Sequence, residues 1–366
     1  MPLQPNWIAC CLGSWIVARK TKPAPAETWP GPGEILASAT VSWLDAGRHQ
    51  LLSAIRDERL PHGLLIHGPA DIGQSGLAVW AAQLALCDVP SRAPCGECAG
   101  CRLFLAGNHP DFRTVKIEDK ASVIKVDQVR ELCTALSLKS YRGGRKVGII
   151  DPADKMNAFS FNALLKTLEE PPEDTLLVLV AARIDRMPRT VVSRCQRIRI
   201  QVPAAGEAIE WLEGRASRDD WPVLLALAGG APARALALAE AGMAELAEET
   251  RALFGRRHID PVGLADAWSR DRPAERLAVL EYQLEQCLRA GLGVRSDVVN
   301  NNRDLSLPSD RSGVNITSAF GLLDRTRDAR ALLDTSLNTQ LLLEDLLVGL
   351  AEALVGRDAG RMETKG

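Results

Sequence analysis

The chain has 366 residues, enough for two or three domains, and 46% of them are hydrophobic, which supplies real cores. Only 4% are aromatic while Ala and Leu abound, the composition of a mostly helical protein. A net charge of −2 excludes a chain that grips nucleic acid by its overall charge, and no apolar run reaches the roughly 18 residues of a membrane span.

Residues 1–40 open with Cys10, Cys11, Trp15 and Ile16, followed by Arg19, Lys20 and Lys22, the reverse of the order in a secretory signal. Pro23, Pro25, Pro30, Gly31, Pro32 and Gly33 punctuate the rest, and no period is sustained. This stretch is expected to be an unstructured extension, or the product of a start codon assigned upstream of the natural one. No function is assigned to it. The nine cysteines, an odd number, argue against a secreted disulfide framework, so the expected compartment is the cytoplasm.

From residue 41 to 203, short apolar runs alternate with helical periodicity. Segments 63–67, 112–117, 146–151, 176–182 and 198–202 read as strands, and 76–86, 126–138 and 158–170 as helices. That alternation predicts a parallel sheet with helices on both faces. After Pro203 the strand signals stop. Residues 204–250 read as short helices broken at Gly229-Gly230, and 251–366 as longer helices interrupted by a polar loop over 296–312.

The first predicted strand runs into Gly68-Pro-Ala-Asp-Ile-Gly73-Gln74-Ser75, which has the spacing of a phosphate-binding loop, G-x-x-x-x-G-K-[ST]. In such a loop backbone N–H groups cradle the phosphates, a Lys offsets their charge and the hydroxyl holds Mg²⁺. Here the Lys position is Gln74, a neutral amide, and Ser75 alone is a weak ligand. The strand at 146–151 ends in Asp151-Pro152-Ala153-Asp154, where a phosphate-loop ATPase places its Mg²⁺-supporting carboxylate. The next position, which would hold a base, is Pro152. Taken singly, each segment reads as an ordinary turn. Together they read as an ATPase that has lost the groups for charge neutralisation and for water activation, so no bound ATP is expected.

Cys87, Cys95, Cys98 and Cys101 form C-x₇-C-x₂-C-x₂-C, with Gly96 and Gly100 permitting tight turns. Four thiolates at this spacing suit a closed, structural Zn²⁺ site rather than a catalytic one. The plainer reading is a set of small buried hydrophobes. Cys133 and Cys287, like Cys10 and Cys11, lack such spacing and are expected to be inert. His109 is expected to be a turn residue, not a ligand.

These motifs occur in a fixed order: Leu60-Pro61-His62-Gly63-Leu64-Leu65, the loop at 68–75, the four cysteines, Gly107-Asn108-His109-Pro110-Asp111, Asn162-Ala163-Leu164-Leu165-Lys166-Thr167-Leu168-Glu169-Glu170-Pro171-Pro172 and Ser193-Arg194-Cys195. In that combination the chain resembles the AAA+ subunits of the bacterial DNA polymerase III clamp loader, strongly over 41 to about 240 and loosely beyond. The resemblance implies a RecA-like AAA+ domain over 41–203 carrying a zinc module at 87–101, then an all-helical lid over 204–250 and an all-helical collar over 251–366.

Within that family the ATP-hydrolysing tau/gamma members keep the loop Lys and an Asp-Glu pair, whereas the delta-prime members lack both, as here. The polar sensor of active members corresponds to Ala182, which has nothing to donate. Arg234, after Gly229-Gly230, stands one place out of register with a second sensor. The resemblance further implies that Arg194 reaches a neighbour's ATP in trans as an arginine finger. It implies tau/gamma and delta subunits as partners, with the sliding clamp and primed DNA met through the complex. Without the resemblance Arg194 reads as a solvated surface arginine, and Arg197 and Arg199 as a basic strand face. Two other readings stay open: an active tau/gamma-type ATPase, opposed by Gln74 and Pro152, and a zinc-dependent nucleic-acid-binding module, opposed by the near-neutral charge.

Overall fold

A computed structural model describes residues 41–118, 121–256, 258–293, 316–333, 335 and 337–355. The expected extension over 1–40 and the whole of the expected loop at 296–312 lie outside the described residues. The chain divides into two compact units, Met1–Pro203 and Ala204–Gly366.

The first unit is built on five strands: β1 (Gly63–His67), β2 (Phe112–Val115), β3 (Lys146–Ile150), β4 (Thr175–Ala181) and β5 (Gln196–Arg199). They form one sheet in the order β2-β3-β4-β1-β5, and every pairing is parallel. The three central strands are buried on both faces, so they read as continuous apolar runs rather than alternating ones. Leu65, Ile150, Leu177 and Leu179 pack under α4 (Val126–Ser137) and α5 (Ala158–Glu169), through Leu132, Leu136, Leu164 and Leu168. Leu64, Ile66, Val178 and Val180 of the other face are buried as well. There α2 (Gln74–Ala85) packs on β1, β3 and β4.

Strand ends differ from the periodicity. β2 stops at Val115 rather than at 117, because its partner turns away at Asp151, whose N–H makes the last bond, to the Val115 carbonyl (3.1 Å). β5 starts at Gln196 and stops at Arg199, with Ile200 N–H still donating to His67 (2.8 Å). Two helices that periodicity did not single out complete the part of this unit that carries the motifs: α1 (Asp45–Arg56), which buries Gly47 and Leu51, and α3 (Ala99–Leu105). The one-turn α6 (Arg189–Val192) leads into β5.

The second unit is helical, and among the described residues no strand follows Arg199. Its helices are α7 (Ala205–Glu213), α8 (Trp221–Leu227), α9 (Pro232–Glu240), α10 (Met243–Gly255), α11 (Pro261–Arg270), α12 (Pro273–Gly291), α13 (Ile316–Leu332) and α14 (Thr339–Val355). One apolar cluster gathers Leu212, Trp221, Leu224 and Leu246, and a second gathers Phe254, Trp268, Leu284, Leu323 and Leu347. Both draw on α10 and on α12, so no linker separates the short helices from the long ones. Among the described residues no single helix is long and apolar enough to cross a membrane.

Candidate functional site

The loop from Gly68 to Gly73 joins β1 to α2 where the sheet opens at the C-terminal ends of its strands. Gly68 is required there, because a Cβ would sit 2.4 Å from the Ile200 carbonyl oxygen. Gly73 has φ +105°, a conformation that side chains rarely adopt. The helix starts at Gln74, so this residue belongs to its first turn. Its side chain is 5% exposed and points back into the loop. The amide donates to the Gly68 carbonyl (2.9 Å) and to the Pro69 carbonyl, while its oxygen accepts from Ile72 N–H (3.3 Å). From outside, the Trp43 indole N–H donates to the Ile72 carbonyl (2.8 Å). The carbonyls of Gly68, Pro69 and Ile72 are thus satisfied by the protein itself, and the Ile72 N–H that a phosphate would need is already taken.

Ser75, in the first turn of α2, acts on the carboxylate of Asp151 that follows β3. Burial pushes the Asp151 carboxyl up, against the opposing effects of Ser75 and the Lys116 charge. Pro152 brings no acid or base beside it. The second acid of the segment, Asp154, accepts from the Ala182 N–H (3.2 Å), which ties down the end of β4.

The four cysteines converge, all sulfurs lying within 4.8 Å of one another. Cys87 Sγ is 3.6 Å from Cys95 and 3.9 Å from Cys98, and Cys95 is 3.9 Å from Cys101. A disulfide needs about 2.05 Å. A tetrahedral zinc with sulfurs at about 2.3 Å spaces them by about 3.8 Å, so the donor set and its size fit such an ion. Cys87 follows α2, and Cys98 is the N-cap of α3, its sulfur accepting from Cys101 N–H (3.3 Å). Cys95 accepts from Cys98 N–H (3.3 Å), and the N–H groups of Cys98 and Glu97 lower its thiol to about 6. Burial pushes the Cys87 and Cys101 thiols up.

A residue not singled out from the sequence, Asp88, ties this cluster down. It accepts from Gly100 N–H (2.8 Å) and pairs with Arg142 (3.1 Å), and the Gly100 bond chiefly lowers its carboxyl. Its only signal in the sequence is that it follows Cys87. Phe104 of α3 meets Phe112 of β2 edge to face at 4.8 Å, joining the cluster to the sheet. His109 does sit in the turn after α3 and outside the sulfur cluster, but it is buried, with Nδ1 accepting from Asp111 N–H (3.2 Å). Cys133, Cys195 and Cys287 stand apart from the cluster; burial raises the first and pushes the others up to about 11 and about 12, so they are poor nucleophiles.

Arg194 follows α6 on the connection to β5. Its side chain is 36% exposed. Nη1 donates to the Thr190 carbonyl (2.8 Å) and Nη2 lies 2.7 Å from Oε1 of Glu169, the last residue of α5. Glu169 was visible only as part of a motif, with no role attached. Arg197 and Arg199 are exposed on the edge strand β5. Arg234 lies in the first turn of α9, in the second unit.

A family model described as DNA polymerase III, delta subunit, matches residues 45–204. The DNA polymerase III subunit delta' of Pseudomonas aeruginosa is 37% identical over 306 residues, 78% of this chain and 90% of that protein. The subunit delta' of Yersinia pestis is 30% identical over 329 residues, 85% of this chain and 95% of that protein. The subunit tau/gamma of Haemophilus influenzae is 36% identical over only 152 residues, 41% of this chain and 22% of that protein.

Proposed function

The chain belongs to the DNA polymerase III subunit delta' family, and from that premise we propose that it is the non-hydrolysing delta' subunit of a clamp loader. It works in the cytoplasm, beside tau/gamma and delta subunits, in the complex that places the sliding clamp on primed DNA during replication. The observation that carries the non-hydrolysing part is the Gln74 side chain, which fills the phosphate loop and takes up its Ile72 N–H. Pro152 removes the water-activating base as well. The tau/gamma-type reading is weaker on both counts, and the tau/gamma likeness spans far less of the chain than the delta' likeness.

Arg194 serves a neighbouring ATP site in trans. A guanidinium suits this task because it is always charged, planar and able to donate two parallel hydrogen bonds to phosphate oxygens. Partial exposure beside the edge strand supports that role. Zn²⁺, held by Cys87, Cys95, Cys98 and Cys101, is structural: four protein sulfurs leave no open position for a reacting ligand. Residues 204–250 are read as the lid and 251–366 as the collar, with the boundary falling inside α10 and both parts within one compact unit.

Reconstitution tests the assignment. The chain should co-purify with tau/gamma and delta subunits and support ATP-dependent clamp loading, while the isolated chain neither binds nor turns over ATP. Turnover by the isolated chain that disappears on Ser75→Ala would overturn the non-hydrolysing reading.

A further inference from the structure

We propose that Glu169 is the positioning residue for Arg194, fixing its guanidinium before the neighbouring ATP arrives; this rests on the trans role of Arg194 given above. Two elements restrain the guanidinium from different sides. The α6 turn offers the Thr190 carbonyl to Nη1 at 2.8 Å, and the end of α5 offers the Glu169 carboxylate to Nη2 at 2.7 Å. A contact at each terminal nitrogen sets the direction of a side chain that otherwise has several freely rotating bonds. Of its five N–H donors one is bonded to Thr190, while Nη2 is paired with the carboxylate. The others stay available to a phosphate oxygen.

The position of Glu169 also points to pairing rather than chance. It is the last residue of α5, where the helix dipole favours cations and disfavours a carboxylate. The Arg194 charge offsets that placement. Both side chains are partly exposed, 36% for Arg194 and 49% for Glu169, so the pair contributes little to folding. Its value lies in geometry: small displacements of a group that acts in a transition state cost rate out of proportion to binding.

The test is steady-state ATP hydrolysis by the reconstituted complex carrying E169A, E169D, E169Q, R194A or the double variant E169A/R194A. E169A should lower kcat about 10-fold with the KM for ATP unchanged. E169D, which keeps the charge but shortens the reach, should resemble E169A. E169Q, which keeps a hydrogen-bond acceptor at the same reach, should recover most of the rate. In the R194A background E169A should cause no further loss. If E169A and E169D run at the unmodified rate while R194A is impaired, the positioning role is wrong and the trans role of Arg194 stands. If the E169A and R194A losses multiply in full, Glu169 acts through something else and the proposal fails. If R194A itself runs at the unmodified rate, both readings fall. Should E169A not assemble, E169D against E169Q decides the same question.

Discussion

The side-chain amide of Gln74 donates to the carbonyl of Gly68 at 2.9 Å, so the residue at the lysine position closes the very loop it would have opened to phosphate. Gln74→Ala leaves two carbonyls and the Ile72 N–H without their partner. It should destabilise the first unit by about 1–3 kcal/mol, read as a lowered denaturation midpoint. Gln74→Lys should create no ATPase in the isolated chain, because Pro152 still supplies no base; a coupled-enzyme assay on contaminant-free protein checks this.

One zinc per chain is expected by elemental analysis after purification without chelators, and Cys98→Ser should lose it while the sheet stays folded. Thiolates, not thiols, bind the metal, so affinity should rise with pH. Near pH 7 the Cys95 thiol, lowered to about 6, is already ionised. Zinc uptake there should release protons, because the raised Cys87 and Cys101 thiols enter the site protonated. Proton release in weak buffer and chelator competition at two pH values measure both effects.

Arg194→Ala should leave the subunit folded and assembled, since its ion pair with Glu169 is partly exposed. Hydrolysis at the site it serves should fall, by up to about 10³-fold in single-turnover measurements on the complex. Arg194→Lys should rescue poorly, because an ammonium cannot reproduce the planar fork.

Lys146 is buried, and its ammonium donates to the carbonyls of Leu136 (2.6 Å) and Leu138 (2.8 Å), capping the C-terminal end of α4 from β3. Lys146→Met keeps the apolar stem and strands both carbonyls. A loss of about 1–3 kcal/mol in chemical denaturation is expected.

Burial lowers the His109 imidazole, and Arg142 acts in the same direction. The neutral ring is the folded form, so its contribution is complete above the ordinary histidine value of about 6.5 and is lost as pH falls from there through the lowered folded value. Protonation would also end the acceptance from Asp111 N–H. Stability of the first unit should therefore decline below about pH 6.5, and His109→Gln should flatten that slope.

Much of this architecture was legible along the chain because its signals are local. Parallel strands buried on both faces leave unbroken apolar runs such as 63–67 and 176–182. The replacements at Gln74 and Pro152 stand out against fixed spacing, and Cys95, Cys98 and Cys101 announce a cluster by their proximity. The ends of β2 and β5 were not legible, because a strand stops where its neighbour leaves it rather than where its own residues change. Helix α1 was missed because much of its length is polar and exposed, with Gly47 and Leu51 its only fully buried positions.

By itself the sequence determined the order of strands and helices, the absence of the lysine and the glutamate, and the thiol spacing, all set by residue identity at short separation. Only the tertiary structure decided the strand order β2-β3-β4-β1-β5, the inward turn of the Gln74 amide, the capping of α4 by Lys146 and the meeting of Glu169 with Arg194. The reason is that each is a contact whose energy depends on distance and direction in space. An amide, an ammonium or a carboxylate carries the same chemistry whether it faces water or a partner. The packing of the sheet against its helices chooses which.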